Sequence, residues 1–204
     1  MLNIYLTRHG ETEWNTENRL QGWKDSPLTE SGVKNASLLG ERLKNVEFQK
    51  VYTSPSKRAL TTTKLICSQK DYPIEIYDEL REISFGKWEG KSREEIQQDY
   101  FQEYDNFWFR PHEYDHSPHQ GEGIDEFLKR IRFIMTHIIE ANQEGNILIV
   151  THGATVKAIM SYFWDIPVEK LWDPPIIYGA SLSLIKWDGN EYIKEYLGDT
   201  SHMV

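Results

Sequence analysis

Hydrophobic residues recur along the chain in two patterns, one typical of buried strands and one typical of helices with a single apolar face. In Leu2 to Thr7, the apolar residues Ile4 and Leu6 alternate with other strand-forming residues. Ile147 to Thr151 is a continuous apolar run of the kind found in parallel strands buried on both faces. Residues 30–43 carry apolar side chains at helical spacing behind Thr29, a residue suited to cap a helix. These segments predict two strands and a helix.

The order of strand followed by helix repeats. Val51 to Thr53 predicts a short strand, and a helix opens at Ser54-Pro55, since proline is tolerated in a first helical turn. Ala154 to Tyr162 predicts a helix after the strand that ends at Thr151. Further extended pieces are Ile74 to Tyr77 and a terminal hairpin made of Leu182 to Trp187 and Tyr192 to Tyr196. Repeated β-α order is typical of an α/β domain with a mostly parallel sheet.

The segment between the two halves of this pattern differs from the rest. Residues from Ser92 to about Asn142 look helical and lie between two predicted strands, as an inserted cap would. The sequence contains no repeat, low-complexity tract or linker that would mark a second domain. It therefore predicts a single domain over residues 1–204 with a helical cap insertion at about 92–142.

Composition and charge narrow the class of partner. The 204 residues include 23 basic and 32 acidic side chains, a net charge of −9 that argues against nucleic acid and anionic membranes as partners. The longest apolar stretches are far shorter than the ~20 residues of a spanning helix, and no secretion signal is recognisable. Cys67, the single cysteine, excludes an internal disulfide framework. We expect a cytoplasmic protein, with a homodimer as one alternative for its assembly.

Two histidines occupy the same local setting. His9 in Leu6-Thr-Arg-His-Gly10 and His152 in Val150-Thr-His-Gly153 each follow an apolar strand directly. The carboxyl ends of parallel strands line one crevice, so the two rings can converge there. Glycine after each histidine would let the backbone pass close to a ligand.

Three charged residues add to this constellation. Arg8 adjoins His9, and Arg58 stands at the start of a predicted helix; guanidinium groups suit contacts with phosphate oxygens. Glu82 lies in an apolar, glycine-rich segment, and apolar surroundings favour the neutral acid that a proton donor requires.

Five motifs in order carry a family resemblance. They are Leu-Thr-Arg-His-Gly-Glu-Thr-Glu-Trp-Asn (6–15), Gly-Trp-Lys-Asp-Ser-Pro-Leu-Thr-Glu-Ser-Gly (22–32), Tyr-Thr-Ser-Pro-Ser-Lys-Arg-Ala (52–59), Arg-Glu-Ile-Ser-Phe-Gly-Lys-Trp-Glu-Gly (81–90) and Val-Thr-His-Gly (150–153). Together they strongly resemble the histidine phosphatase superfamily, in its phosphoglycerate-mutase-like branch. The resemblance implies a three-layer α/β/α fold and a phosphohistidine mechanism with no metal and no cofactor.

The resemblance also implies roles for individual residues. His9 is expected to be the nucleophile, His152 the second histidine that donates to the phosphoryl group, and Glu82 the proton donor. The residues expected to bind phosphate are Arg8, Asn15, Gln21, Arg58 and Gly153. A neutral imidazole attacks through one nitrogen while the other keeps its proton, and a carbonyl accepting that proton would hold the tautomer.

Mutases and phosphatases of this family share the same core. In the mutases an arginine follows the catalytic glutamate and an Asn-Ser pair follows the second His-Gly, whereas this chain has Ile83 and Ala154-Thr155. The insertion is also shorter here. These departures favour a metal-independent phosphomonoesterase acting on small phosphorylated metabolites; the alternative is a 2,3-bisphosphoglycerate-dependent phosphoglycerate mutase.

The insertion leaves two questions open. Its aromatic residues would either form an apolar lid over the pocket or pack the insertion onto the domain; they are Phe107, Trp108, Phe109 and Tyr114. Three histidines lie within eight residues, His112, His116 and His119, but a proline-interrupted segment fixes no metal geometry, so no metal site is predicted. The non-enzymatic alternative, a phosphate-binding module, would not need His9 and Glu82 together.

Overall fold

The computed structural model describes residues 1–203, which contain six strands in one mixed sheet. The strands are β1 (Leu2–Arg8), β2 (Lys50–Thr53), β3 (Ile74–Ile76), β4 (Gly145–Thr151), β5 (Leu182–Trp187) and β6 (Tyr192–Asp199). Their order across the sheet is β3-β2-β4-β1-β5-β6. The first four strands of this order run parallel to one another, and β5 and β6 are antiparallel additions at one edge. The predicted mostly parallel sheet is confirmed.

Seven α-helices accompany the sheet within the described residues. They are α1 (Glu13–Thr16), α2 (Glu30–Leu43), α3 (Lys57–Ile66), α4 (Arg93–Asp99), α5 (Phe101–Phe109), α6 (Ile124–Ala141) and α7 (Gly153–Trp164). Thr29 caps α2 as expected, because its side chain accepts a hydrogen bond from the Gly32 N–H at 2.9 Å. The expected start of α3 at Ser54-Pro55 is wrong: the helix begins at Lys57. The Ser54 hydroxyl is instead 2.7 Å from a ring nitrogen of His152.

The sheet is covered on both faces. Successive side chains of a strand point to opposite faces, and β4 follows this rule with its last five residues, 147–151, all buried. Ile147 and Ile149 belong to a hydrophobic cluster shared with α6 and α7, whereas Leu148 and Val150 belong to a second cluster shared with α2 and α3. The result is the expected three-layer α/β/α arrangement.

The predicted insertion contains two kinds of structure. Its last helix, α6, contributes Ile131, Ile134 and Ile138 to the same cluster as β1 and β4, so this helix is part of the layer that covers the sheet. The limits of the insertion stay a prediction. Over residues 1–203, none of the helices combines the length and the apolar character that a membrane span requires.

The pairing of β1 with β4 sets the distance between the two histidines. These strands are parallel neighbours, and Arg8 lies opposite Thr151 in their register. His9 and His152 each follow one member of this pair, and the His9 N–H still donates to the Thr151 carbonyl at 2.8 Å. Both histidines therefore emerge at the same edge of the sheet.

Candidate active site

A cavity of about 450 Å³ opens at the carboxyl ends of β1 and β4. Seven of the eight residues that the sequence analysis selected line it: Arg8, His9, Asn15, Gln21, Arg58, Glu82 and Gly153. The eighth, His152, lies beside them, with its ring centroid 5.2 Å from that of His9. The structure thus brings all eight residues together.

His9 is buried in a neutral, oriented state. Its Nδ1 atom lies 2.7 Å from the Gly10 carbonyl oxygen, which accepts only if Nδ1 carries the proton. Nε2 then keeps its lone pair and accepts from Arg58 Nε at 3.2 Å. Burial, followed by the charges of Arg58 and Arg8, holds the pKa of His9 well below its ordinary value. A neutral imidazole with no proton on Nε2 is the form that a nucleophile requires.

Arg58 is held rigidly beside His9. Its side chain is 1% exposed, and four of its N–H donors are engaged. Nη1 donates to the Lys24 carbonyl at 2.6 Å and to Asp25 Oδ1 at 2.9 Å, and Nη2 donates to the Gly22 carbonyl at 2.7 Å. The remaining Nη2 donor is available to a ligand.

Two buried nitrogens near His9 have no hydrogen-bond partner within residues 1–203. One is Nε of Arg8, whose Nη1 donates to the Ile177 carbonyl at 2.8 Å. The other is Nδ1 of His152, whose Nε2 lies 2.7 Å from Ser54 Oγ. Burial, together with nearby positive charge, holds the pKa of His152 well below its ordinary value. Because buried polar atoms are almost always paired in proteins, each of these nitrogens is a candidate donor to a bound ligand.

Glu82 has different surroundings from those expected. The sequence indicates an apolar setting, but the carboxylate lies at the N-terminus of α7. It accepts from the backbone N–H of Ala154 and of Thr155, each at 3.1 Å, and contacts Thr155 Oγ1 at 3.2 Å. A helix N-terminus attracts negative charge, so these donors hold the carboxylate beside Gly153.

Asn15 and Gln21 meet at Thr12. The Thr12 hydroxyl donates to Asn15 Oδ1 at 3.0 Å and accepts from Gln21 Nε2 at 2.7 Å. Gln21 also accepts from Ser26 at 3.3 Å, so both ends of its amide are engaged within the protein. Asn15 Oδ1 is likewise occupied, and its Nδ2 amide is the group left for a ligand.

The two glycines after the histidines serve different purposes. A Cβ atom on Gly10 would lie 2.7 Å from the Gly32 carbonyl oxygen, so the close approach that requires this glycine is to helix α2. A Cβ atom on Gly153 would lie 3.6 Å from Arg8 Nε, which is an ordinary contact distance. The expectation of a backbone close to a ligand therefore fits Gly153, which lines the cavity, better than Gly10.

The cavity has residues that the sequence analysis missed. They are three further cations, Arg19, Arg93 and Lys157, and one aromatic residue, Trp172. Arg19 is paired with Glu17 and Glu95, whereas no carboxylate within residues 1–203 lies within 4.0 Å of Arg93 or Lys157. Lys157 could have been found from spacing, because it lies one helical turn after Gly153 on α7. The others depend on how the insertion folds.

The aromatic residues of the insertion divide between the two expected roles. Phe107 is fully buried and Tyr114 packs against the same core, so both attach the insertion to the domain. Trp108 lines the cavity, as a lid residue would. Phe109 does neither, since it is 73% exposed.

The histidines of the insertion make protein contacts. The buried ring of His119 stacks on Trp88 at 3.8 Å, its Nδ1 lies 3.1 Å from the Phe85 carbonyl, and its Nε2 lies 2.8 Å from the Tyr114 hydroxyl. His116 Nδ1 lies 3.1 Å from the Gly121 carbonyl. In the part of the chain that the structure describes, no group of three or more potential ligands is placed to hold a metal ion.

The burial of His119 predicts a dependence of stability on pH. Burial lowers the pKa of His119 from its ordinary 6.5 to about 4, so between these values the unfolded chain binds a proton that the folded chain does not. The free energy of unfolding should therefore fall as the pH is lowered from 6.5 to 4, and His119→Gln should make that fall shallower. Urea unfolding at several pH values measures both slopes. His112→Gln, at an exposed ring, is the control, and an unchanged slope in His119→Gln would contradict the prediction.

Comparison with known proteins agrees with the geometry. Residues 4–200 match the sequence profile of the histidine phosphatase superfamily (branch 1). The chain is 30% identical to adenosylcobalamin/alpha-ribazole phosphatase of Escherichia coli (strain K12) over 84% of this chain and 83% of that protein. The structure of Bacillus stearothermophilus YhfR superimposes with a TM-score of 0.94 at 43% identity, covering 100% of both chains.

A mutase is also similar to this chain. The crystal structure of phosphoglycerate mutase from Bacillus anthracis str. Sterne superimposes with a TM-score of 0.79 at 29% identity, covering 99% of this chain and 95% of that one. A phosphatase and a mutase are thus both similar to this chain, and the resemblance carried by its motifs is confirmed. The chain belongs to branch 1 of the histidine phosphatase superfamily.

Proposed function

We propose that this protein is a metal-independent phosphomonoesterase of the cytoplasm that hydrolyses small phosphorylated metabolites through a phosphohistidine on His9. The observation that carries the proposal is the state of His9, which is neutral, oriented by Gly10 and surrounded by positive charge. The unpartnered nitrogens of Arg8 and His152 lie where they can bind phosphoryl oxygens.

The reaction follows from these positions in two steps. In the first, His9 Nε2 attacks phosphorus, the bond to the ester oxygen breaks, and the leaving oxygen takes a proton from the carboxyl group of Glu82. In the second, water attacks the phosphohistidine, Glu82 accepts a proton from that water, and the bond between phosphorus and His9 breaks. Inorganic phosphate leaves, and both residues return to their starting states.

The cations stabilise the transition state. Negative charge spreads over the equatorial phosphoryl oxygens as the ester bond breaks, and fixed donors offset that charge without reorganising. Arg58 is fixed by its four hydrogen bonds, and Arg8 is fixed through Ile177. Side chains can therefore supply the charge that a metal ion supplies in other phosphatases.

The rest of the cavity suggests what the leaving group carries. Trp108 and Trp172 provide apolar surface, and Arg93 and Lys157 provide positive charge. A leaving group with an apolar part and an anionic part would match both.

The second candidate function is a phosphoglycerate mutase. Arg93 and Lys157 favour it, because a mutase must hold a carboxylate-bearing substrate while the phosphoryl group returns. Ile83 opposes it: this side chain follows Glu82 but is 0% exposed within the core, so it offers no contact to a substrate. The small side chain of Ala154 opposes it as well.

Hydrolysis of p-nitrophenyl phosphate in the presence of EDTA tests the proposed function. We expect turnover that the chelator does not change, and release of inorganic phosphate from some members of a panel containing 3-phosphoglycerate, sugar phosphates and phosphoserine. Conversion of 3-phosphoglycerate to 2-phosphoglycerate without phosphate release would favour the mutase. Loss of activity in EDTA would overturn the metal-independent mechanism.

Glu82→Gln tests the proton donor. Alkyl phosphates have strongly basic leaving alkoxides, so their cleavage should fall about 10²-fold or more, whereas nitrophenolate needs little protonation. With p-nitrophenyl phosphate the variant should release a burst of nitrophenol and then turn over slowly, because it also lacks the base that activates water. Stopped-flow absorbance measures the burst. Equal losses on both substrates without a burst would remove Glu82 from the acid role, and Glu144→Gln, at an exposed residue outside the cavity, is the control.

A further inference from the structure

The Asp25 side chain binds both the backbone N–H and the guanidinium group of Arg58. Its Oδ1 accepts from Arg58 Nη1 at 2.9 Å and from the Arg58 backbone N–H at 3.2 Å. Its Oδ2 accepts from the Lys57 backbone N–H at 2.8 Å. The Asp25 side chain is 24% exposed, so one partly buried carboxylate makes three contacts with two consecutive residues.

These contacts replace the missing cap of α3. The first N–H groups of a helix have no partner within the helix and are usually bound by the side chain of the N-cap residue. The N-cap residue here is Ser56, and within residues 1–203 its side chain makes no capping bond. Asp25 supplies the acceptor from a loop 33 residues earlier in the chain, as measured to Arg58.

The same contacts fix the plane of the Arg58 guanidinium. A planar group is oriented once two of its corners are held, and Asp25 and the Lys24 carbonyl hold Nη1 while the Gly22 carbonyl holds Nη2. That orientation directs Nε to His9 Nε2 at 3.2 Å. Among the three acceptors that hold the Nη atoms, only the Asp25 carboxylate is charged. Its hydrogen bond is expected to be the strongest of them, because charge-assisted hydrogen bonds are roughly twice as strong as neutral ones.

We propose that Asp25 is a positioning residue for phosphoryl transfer, acting through Arg58 and touching neither substrate nor His9. This inference rests on the proposed function. Asp25→Asn keeps the size of the side chain but removes its charge and replaces one carboxylate oxygen with an NH₂ group. The single remaining oxygen cannot accept hydrogen bonds from both Lys57 and Arg58. The plane of the Arg58 guanidinium is then no longer fixed, so the transition state is stabilised less and kcat falls.

A double-mutant cycle separates positioning from simple capping. We expect Asp25→Asn to lower kcat at least about 10-fold with less than about a threefold change in KM, and to lower kcat less than about twofold when Arg58 is already alanine. Asp25→Asn should still lower Tm when Arg58 is alanine, because the bonds from Asp25 to the backbone N–H groups of Lys57 and Arg58 do not depend on the Arg58 side chain. If Arg58→Ala does not fold, the cycle is run on Arg58→Lys, in which the effect of Asp25→Asn on kcat should shrink by at least half on a logarithmic scale.

Orthovanadate provides a second readout. It adopts the five-coordinate geometry of the transferring phosphoryl group, so its inhibition constant should weaken in Asp25→Asn by about the factor that kcat falls, while that of inorganic phosphate changes less. Asp71→Asn, at an exposed aspartate, is the matched control and should leave kcat unchanged. Equal losses of kcat in the two backgrounds, or a wild-type kcat in Asp25→Asn, would overturn the inference. Failure of the proposed function would appear separately, as wild-type enzyme that carries no phosphohistidine.

Discussion

His9→Ala is expected to lower kcat at least about 10⁴-fold, because removal of a covalent nucleophile leaves only binding and electrostatic stabilisation. No other side chain can take over the attack. The ring of His152 is 5.2 Å from that of His9, but if its Nδ1 donates to the phosphoryl group, its electron pair is on Nε2, which lies against Ser54 Oγ. The fold should survive, since the backbone of residue 9 keeps its bond to Thr151.

Trapping of the intermediate completes this test. Wild-type enzyme quenched during turnover should carry phosphate that is labile in acid and stable in base, as expected for phosphohistidine, and His9→Ala should carry none. His112→Ala, at an exposed ring outside the cavity, is the matched control and should be labelled like wild type. Acid-stable label, or normal turnover in His9→Ala, would disprove the phosphohistidine mechanism.

Arg58→Ala has the second largest expected effect. Loss of a preorganised donor to the transition state typically costs about 10²-fold to 10³-fold in kcat, and Arg58 supplies both a donor and a charge. Arg58→Lys should also be impaired, but less, because lysine restores the charge without the planar fork that reaches Asp25, Gly22 and His9 at once. Steady-state kinetics of both variants measure the difference.

A control is needed because Arg58 is buried. Arg58→Ala also leaves Asp25 without its charged partner, so the Tm of the variant should be measured together with its kinetics. Arg132→Ala, at an exposed arginine, measures the effect on kcat of removing a surface cation. A change in rate of less than about threefold in a folded Arg58→Ala would show that Arg58 is not part of the phosphate site.

The positions of the two histidines could be predicted because they depend on local patterns. His9 and His152 each follow a run of aliphatic residues, and the rule that parallel strands end at one edge brings such positions together. The same reasoning predicts the three layers, since the buried run at 147–151 requires cover on both faces. Arg8 follows from its place next to His9.

The partners of these residues could not be predicted, because they come from distant parts of the chain. Ser54 meets His152 across 98 residues, and Thr155 meets Glu82 across 73. Neither pair leaves a pattern in the sequence, since each depends on how loops pack once the sheet has formed. The polar surroundings of Glu82 were missed for this reason: its neighbours in sequence are apolar, but its neighbours in space are the first N–H groups of α7.

The insertion was the least predictable part. Its composition indicates helices and an aromatic core, but which aromatic residue faces the cavity depends on tertiary packing. Trp108 and Phe107 are adjacent in sequence, yet one lines the cavity and the other is buried against Trp88. Arg93 lies three residues beyond the motif that ends at Gly90, and only the fold shows that it reaches the same cavity.

The pairing of β1 with β4 has a consequence for how activity appears during folding. Arg8 and Thr151, which face each other in that pair, are separated by 143 residues, so the loop closed by their contact spans most of the chain. Closure of a long loop costs conformational entropy, and domains rich in such non-local contacts fold slowly. A partly folded chain with α2 and α3 already formed would still be inert. After dilution from denaturant, the rate at which turnover returns should therefore report the pairing of β1 with β4. The rate of change in far-ultraviolet circular dichroism should report the formation of the helices.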